Sequence, residues 1–162
     1  MIYYKNIGDY MNKITKFYTI SMLPSSVQRR NPHDESLLFL NSTDENTTKV
    51  IHTKFGERSY YIYSGEERVF EKHGIDDALY FALSNKGKIR EVKKEVSQIE
   101  INGKNAVHFK YKGSLFGLEV VKINFDSEED ALNFKRPTWI KDELKNKFFE
   151  KELGKFTNRE KE

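Results

Sequence analysis

The sequence predicts an α+β fold: a curled antiparallel sheet, or a β-barrel, of about eight strands with two or three helices. Three observations carry that expectation. Asn102-Gly103, the strongest two-residue hairpin signal in the chain, sits between two runs of strand-forming residues. Lys88 to Ile101 (KIREVKKEVSQIEI) alternates charged residues with Ile and Val, the pattern of a long strand with one wet face. The other apolar runs are mostly short and joined by turn residues, so they pair as hairpins. Curling or closure then hides the edges that so many strands would leave open.

In chain order, residues 1–10 read as an extension and Lys13 to Met22 as a first strand. Leu23 to Glu35, with Pro24, Ser25, Ser26, Asn31 and Pro32, has loop chemistry. Ser36 to Asn41 is a compact apolar strand. Lys49 to Phe55 and Arg58 to Tyr63 flank Gly56-Glu57 as a hairpin, and Arg68 to Glu71 adds a short strand. Asp76 to Leu83 is a short amphipathic helix with Asp76 placed to cap it. After the long strand, Ala106 to Tyr111 returns antiparallel and Leu118 to Phe125 follows. Asp126 or Ser127 caps a helix through Phe134, with Glu129 or Asp130 as the reciprocal partner, and Pro137 stops it. Lys141 to Lys155 reads as a charged second helix, and residues 157–162 as a frayed tail.

Composition narrows the function classes. At 162 residues the chain is expected to form one domain, 1–162. Hydrophobic content is low at 37%, but 14% aromatic residues supply bulk for a core. A net charge of +3 suits an anionic small molecule and gives no reason to expect duplex nucleic acid. There is no cysteine, hence no disulfide framework and no thiolate chemistry. No segment approaches 18 consecutive apolar residues and the first residues lack a signal-peptide core, so a cytoplasmic protein without membrane contact is expected. The four histidines fall in no metal-ligand spacing, and neither a Gly-rich phosphate loop nor a Gly-x-Ser-x-Gly elbow occurs. Glu91 and Glu95 share a face of the long strand, where pairing with neighbouring lysines accounts for them.

Gly113, Leu115, Gly117, Leu118, Phe125, Ser127, Glu128, Glu129, Ala131, Phe134, Pro137 and Trp139 stand in fixed register without a gap. This segment resembles the closing segment of the CYTH domain, the triphosphate tunnel metalloenzyme family. The resemblance implies a tunnel-like sheet whose inward acids hold a divalent cation that bridges substrate phosphates. The paired acids of the late strand correspond here to Lys122 and Asn124, and the acid of the preceding strand to Phe109. The opening Glu-x-Glu-x-Lys motif, placed on NKITK, gives Asn12, Ile14 and Lys16.

The basic side of the family's tunnel is better matched, in Lys54, Arg58, Lys88 and Arg90. With Lys16 and Lys122 these form the expected ligand-binding set, with no catalytic residues, no bound metal and no cofactor. Lys122 puts an ammonium where the family places a metal ligand; it neutralises phosphate but does not polarise water as a metal does. The expectation is therefore a non-enzymatic binding protein for a phosphorylated small molecule: a nucleotide, a cyclic (oligo)nucleotide or an oligophosphate. Sequestration, for instance by a phage protein removing a host nucleotide signal, fits that reading. One alternative is a divergent metal-dependent triphosphatase or nucleotidyl cyclase using Glu91, Glu95 or Glu119. Another is a non-catalytic protein-interaction module. The bland reading of the six cations is that alternate charged residues on strands face solvent.

Overall fold

The structure, a computed structural model, describes residues 13–40, 46–64, 68–85, 90–146 and 149–157, with 68–71 described in the backbone alone. The expected extension 1–10, the tail beyond 157 and Lys88 lie outside the described residues. The strands are β1 (Ile14–Ile20), β2 (Arg30–Leu40), β3 (Thr47–Lys54), β4 (Glu57–Ser64), β5 (Arg68–Ile75), β6 (Arg90–Ile101), β7 (Lys104–Tyr111), β8 (Glu119–Phe125) and β9 (Ile140–Leu144). The helices among the described residues are α1 (Asp77–Ser84), α2 (Glu128–Asn133) and α3 (Phe149–Gly154). All nine strands belong to one sheet with hydrogen-bonded order β5-β4-β3-β2-β6-β7-β8-β1-β9. The order is open, with β5 and β9 as its ends, so the sheet alternative is the observed one and not a closed barrel. Among the described residues no helix is long and apolar enough to cross a membrane.

Two compact units are distinguishable by their internal contacts. The first comprises Met1–Asn31, Ser97–Phe109 and Glu119–Lys145. Its frame is the antiparallel ladder of β1 on β8, which runs from Ile14 opposite Phe125 to Thr19 opposite Val120. Directly opposed residues share a face and neighbours alternate. Tyr18, Val121, Ile123 and Phe125 therefore fall on one face, and with Ile20, Ile99, Ile101, Ala106 and Ile140 they form a buried core. Each such side chain contributes about 1.5–3 kcal/mol by leaving water. The β6–β7 hairpin turns on Asn102 (φ 49°) and Gly103 (φ 81°), the paired left-handed residues of a type I′ turn. α2 begins where the sequence places it: Ser127 Oγ accepts from the Asp130 N–H at 3.1 Å, and the Asp130 carboxylate accepts from the Asp126 N–H at 3.2 Å.

The segment after Trp139 departs from the sequence reading. Lys141 to Leu144 belongs to β9, which pairs with β1 from Ile140 opposite Ile20 to Leu144 opposite Phe17. Lys, Asp and Glu there favour a helix weakly, but the free edge of β1 offers a ladder of backbone partners that outweighs such propensities. The helix expected over Lys141 to Lys155 is confined to α3.

The second unit comprises Pro32–Val96, Lys110–Leu118 and Asn146–Glu162. β2, β3, β4 and β5 form successive antiparallel ladders. The β3–β4 turn again uses two left-handed residues, Phe55 (φ 50°) and Gly56 (φ 78°). One face buries Leu38 and Ile51 beneath Tyr60, Ile75, Tyr80 and Leu83. The last two of these come from α1, whose cap Asp76 accepts from the Leu79 N–H at 2.9 Å. β2 starts at Arg30, well before the expected Ser36. Asn31 (φ 50°) and Pro32 read as loop residues, and the polar run through Asp34 shows no apolar alternation to reveal a strand.

Candidate anion-binding site

The register of β1 on β8 decides which lysines of the first unit can act together. Lys16 opposes Ile123 and so lies on the core face, whereas Lys122 opposes Phe17 on the other face. Lys16 is held by Glu128 at 3.3 Å and Glu143 at 3.6 Å. Burial works against its ammonium, but the hydrogen bond to Glu128 and the charges of Glu143 and Glu128 outweigh that and raise its pKa. The structure does not bring Lys16 and Lys122 together. On the face of Lys122 and Asn124, β1 presents Thr15 and Phe17.

Asn124 lines a cavity of about 360 Å³ together with Arg30, Gln98, Asn105 and Val107. Its Oδ1 accepts from the Thr15 hydroxyl at 2.6 Å, and Gln98 Oε1 accepts from Asn31 Nδ2 at 3.2 Å. A second cavity of about 290 Å³ shares Arg30 and is bordered by Gln28 and Glu100. Arg30, Gln98 and Asn105 were not singled out in the sequence. Arg30 lies in a stretch read as loop, and amide side chains on strands carry no spacing signature.

In the second unit, Lys54 opposes Glu35 and shares its face. Glu35, only 9% exposed, takes His33 Nε2 at 2.5 Å on one oxygen and His52 Nε2 at 2.7 Å on the other. Burial alone would raise its pKa. The hydrogen bonds from His52 and His33, with the charges of His52 and Lys94, prevail and hold it at about 2. The Lys54 ammonium lies 5.7 Å from the Phe55 ring centre. Arg58 opposes Thr53 and Ile75, on the α1 face rather than the Lys54 face. Its guanidinium bonds Asp77 and stacks 4.0 Å from the Tyr80 ring centre. Arg90 donates to the carbonyls of Lys155 at 3.1 Å and Thr157 at 2.8 Å, clasping the chain after α3.

Lys94 carries no signal in the sequence pattern. It is 4% exposed and donates to Glu150 Oε2 at 2.7 Å, and the Tyr111 hydroxyl donates to the same oxygen. Gly154 lets α3 lie close here: a Cβ on it would stand 3.3 Å from Arg90 Cβ and 3.4 Å from the Phe39 ring.

The CYTH resemblance implies a divalent cation, and the described residues offer no acid cluster for one. β8 offers Lys122 and Asn124 at the positions of the paired acids. Among the described residues no group of three or more Asp, Glu or His side chains is arranged to hold a metal. Glu119, an alternative acid, is taken by buried His108 at 2.7 Å, and Glu91 lies 3.6 Å from Lys93.

No protein-family model matches the chain. No curated protein matches it in sequence. Solved structures do match. Two crystal structures of NE1496, one described as an inorganic triphosphatase, superpose with TM-scores of 0.63 and 0.62 at 20% identity. They cover 83% of this chain and 90% and 87% of theirs. The likeness is one of fold: this chain has the tunnel-like α+β fold of the CYTH, or triphosphate tunnel, class.

Proposed function

We propose that this protein binds a phosphorylated small molecule, a nucleotide or oligophosphate, without a metal ion, and sequesters rather than hydrolyses it. The observation that carries the proposal is the side-by-side placement of Lys122 and Asn124 on β8. Both face away from the core, and Asn124 opens into the cavity bounded by Arg30. A fixed ammonium at this position supplies the positive charge that a phosphate needs, and it has no water to activate. The shared fold of an inorganic triphosphatase supports a phosphate ligand. Lys16, on the opposite face of the sheet, and Arg58 and Arg90, in the second unit, are not part of the proposed contact set.

Thermal shift against inorganic triphosphate, polyphosphate, nucleotides and cyclic oligonucleotides, each with Mg²⁺ and with EDTA, tests this. A ligand at one hundred times its dissociation constant stabilises by about 2.7 kcal/mol. The expected result is a shift that persists in EDTA and shrinks with added salt. A shift that needs Mg²⁺ or Mn²⁺, with release of phosphate, would replace the proposal with a metal-dependent triphosphatase or cyclase. No shift from any compound would favour an interaction module.

A further inference from the structure

The cavity beside Asn124 is not built like a phosphate site alone. Among the described residues Arg30 is the one charged side chain in its lining, and the remaining polar side chains are the neutral amides of Gln98, Asn105 and Asn124. Two of these amides have their oxygens engaged: Gln98 Oε1 by Asn31 and Asn124 Oδ1 by Thr15. What they still offer is N–H. An amide NH₂ and a guanidinium together make a donor-rich edge with little net charge. Inorganic triphosphate carries several negative charges and gains little from neutral donors compared with lysine or arginine. A planar ring bearing carbonyl oxygens is better matched, because its edge accepts and its faces are apolar like Val107. The cavity of about 360 Å³ lies within the range of small-molecule sites, roughly 300–1,000 Å³.

We propose that this cavity is a nucleobase subsite selective for keto bases, guanine or uracil, read by the N–H donors of Arg30, Gln98 and Asn124. The inference builds on the phosphate-binding reading and names the rest of the ligand. Lys122 and Asn124 are two residues apart on one face of β8, a separation of roughly 7 Å. That spacing lets one nucleotide place phosphate at the lysine and base at the amide.

Isothermal titration in EDTA with GTP, UTP, ATP, CTP and inorganic triphosphate tests the base preference, with guanosine and uridine titrated alongside. GTP or UTP is expected to bind at least about tenfold tighter than ATP, CTP and triphosphate, the discrimination of one well-placed hydrogen-bonded base edge. Asn124→Ala and Gln98→Ala are each expected to bring the nucleotides to within about twofold of one another, and in Gln98→Ala, which lies outside the phosphate contact set, triphosphate affinity stays unchanged. Unfolding midpoints of both variants establish that they are folded. Equal binding of all four nucleotides and triphosphate would overturn the base subsite and leave the phosphate reading intact. Binding of guanosine or uridine without triphosphate binding would do the reverse. Binding by none would overturn both.

Discussion

Lys94 Nζ and Glu150 Oε2 stand 2.7 Å apart, and the Tyr111 hydroxyl shares that oxygen at 2.7 Å. Burial first, and then the charge and hydrogen bond of Glu150, push the Tyr111 hydroxyl well above the usual tyrosine range, so it stays a donor. An ammonium that water hardly reaches is costly unless paired, and here the pair comes from the short helix α3. Glu150→Gln is expected to lower stability in urea denaturation, by about 3 kcal/mol at most, because it removes the carboxylate 2.7 Å from the buried lysine. Lys94→Met with Glu150→Leu should recover most of that loss. The residual deficit belongs to the Tyr111 hydroxyl, which loses its bond to Glu150, and adding Tyr111→Phe should reduce it. A double mutant as unstable as Glu150→Gln alone would show that α3 docks by packing and not by this pair.

Glu35 sets an acid limit. Its folded pKa, about 2, lies below the ordinary value of 4.5. A depressed carboxyl contributes its stability fully above the unfolded pKa and loses it as pH falls through the folded one. The expected loss is about 3 kcal/mol between pH 4.5 and pH 2. Urea midpoints measured across that window should slope downward in the wild type and far less in Glu35→Gln.

The opposite faces of Lys16 and Lys122 make a paired test. Lys122→Ala should weaken nucleoside triphosphate binding about tenfold, the loss of one charge-assisted hydrogen bond, and flatten its salt dependence. Lys16→Ala should leave affinity within about twofold, since its partners are Glu128 and Glu143. Equal losses in both variants, measured by titration, would contradict the register.

Arg58 is a structural cation. Its Nε is buried without a hydrogen-bond partner among the described residues, while its plane stacks on Tyr80. Arg58→Lys keeps the charge but loses the stacked plane, and should cost about 1–2 kcal/mol in thermal melts. Ligand affinity should not change.

Turns and caps were the legible part of this fold. Asn102-Gly103, Asp76 and Ser127 each act locally, so each is where the sequence puts it. β9 and the first half of β2 were hidden because long-range pairing and not local preference makes them strands. At the site, Lys122 and Asn124 share one face of β8 while Lys16 lies on the other face of the ladder, a relation set by the β1–β8 register and not by the motif NKITK. Lys94 escaped because a lysine among lysines on an alternating strand looks solvated; its burial depends on a helix far along the chain. Glu35 escaped for a similar reason, since its histidine partners come from two strands.

β1 lies between β8 and β9, and the Thr15 hydroxyl finds its partner 109 positions later, at Asn124. A ribosome adds about 5–20 residues per second, so this strand waits on the order of 5–20 s for its neighbours to be made. During that interval Tyr18 and Ile20 belong to a lone strand that any other nascent chain can capture. β1, made before the other eight strands of this sheet, is thus among the last to be satisfied. The yield of folded protein in a cell should depend on translation speed and chaperone supply more than on equilibrium stability.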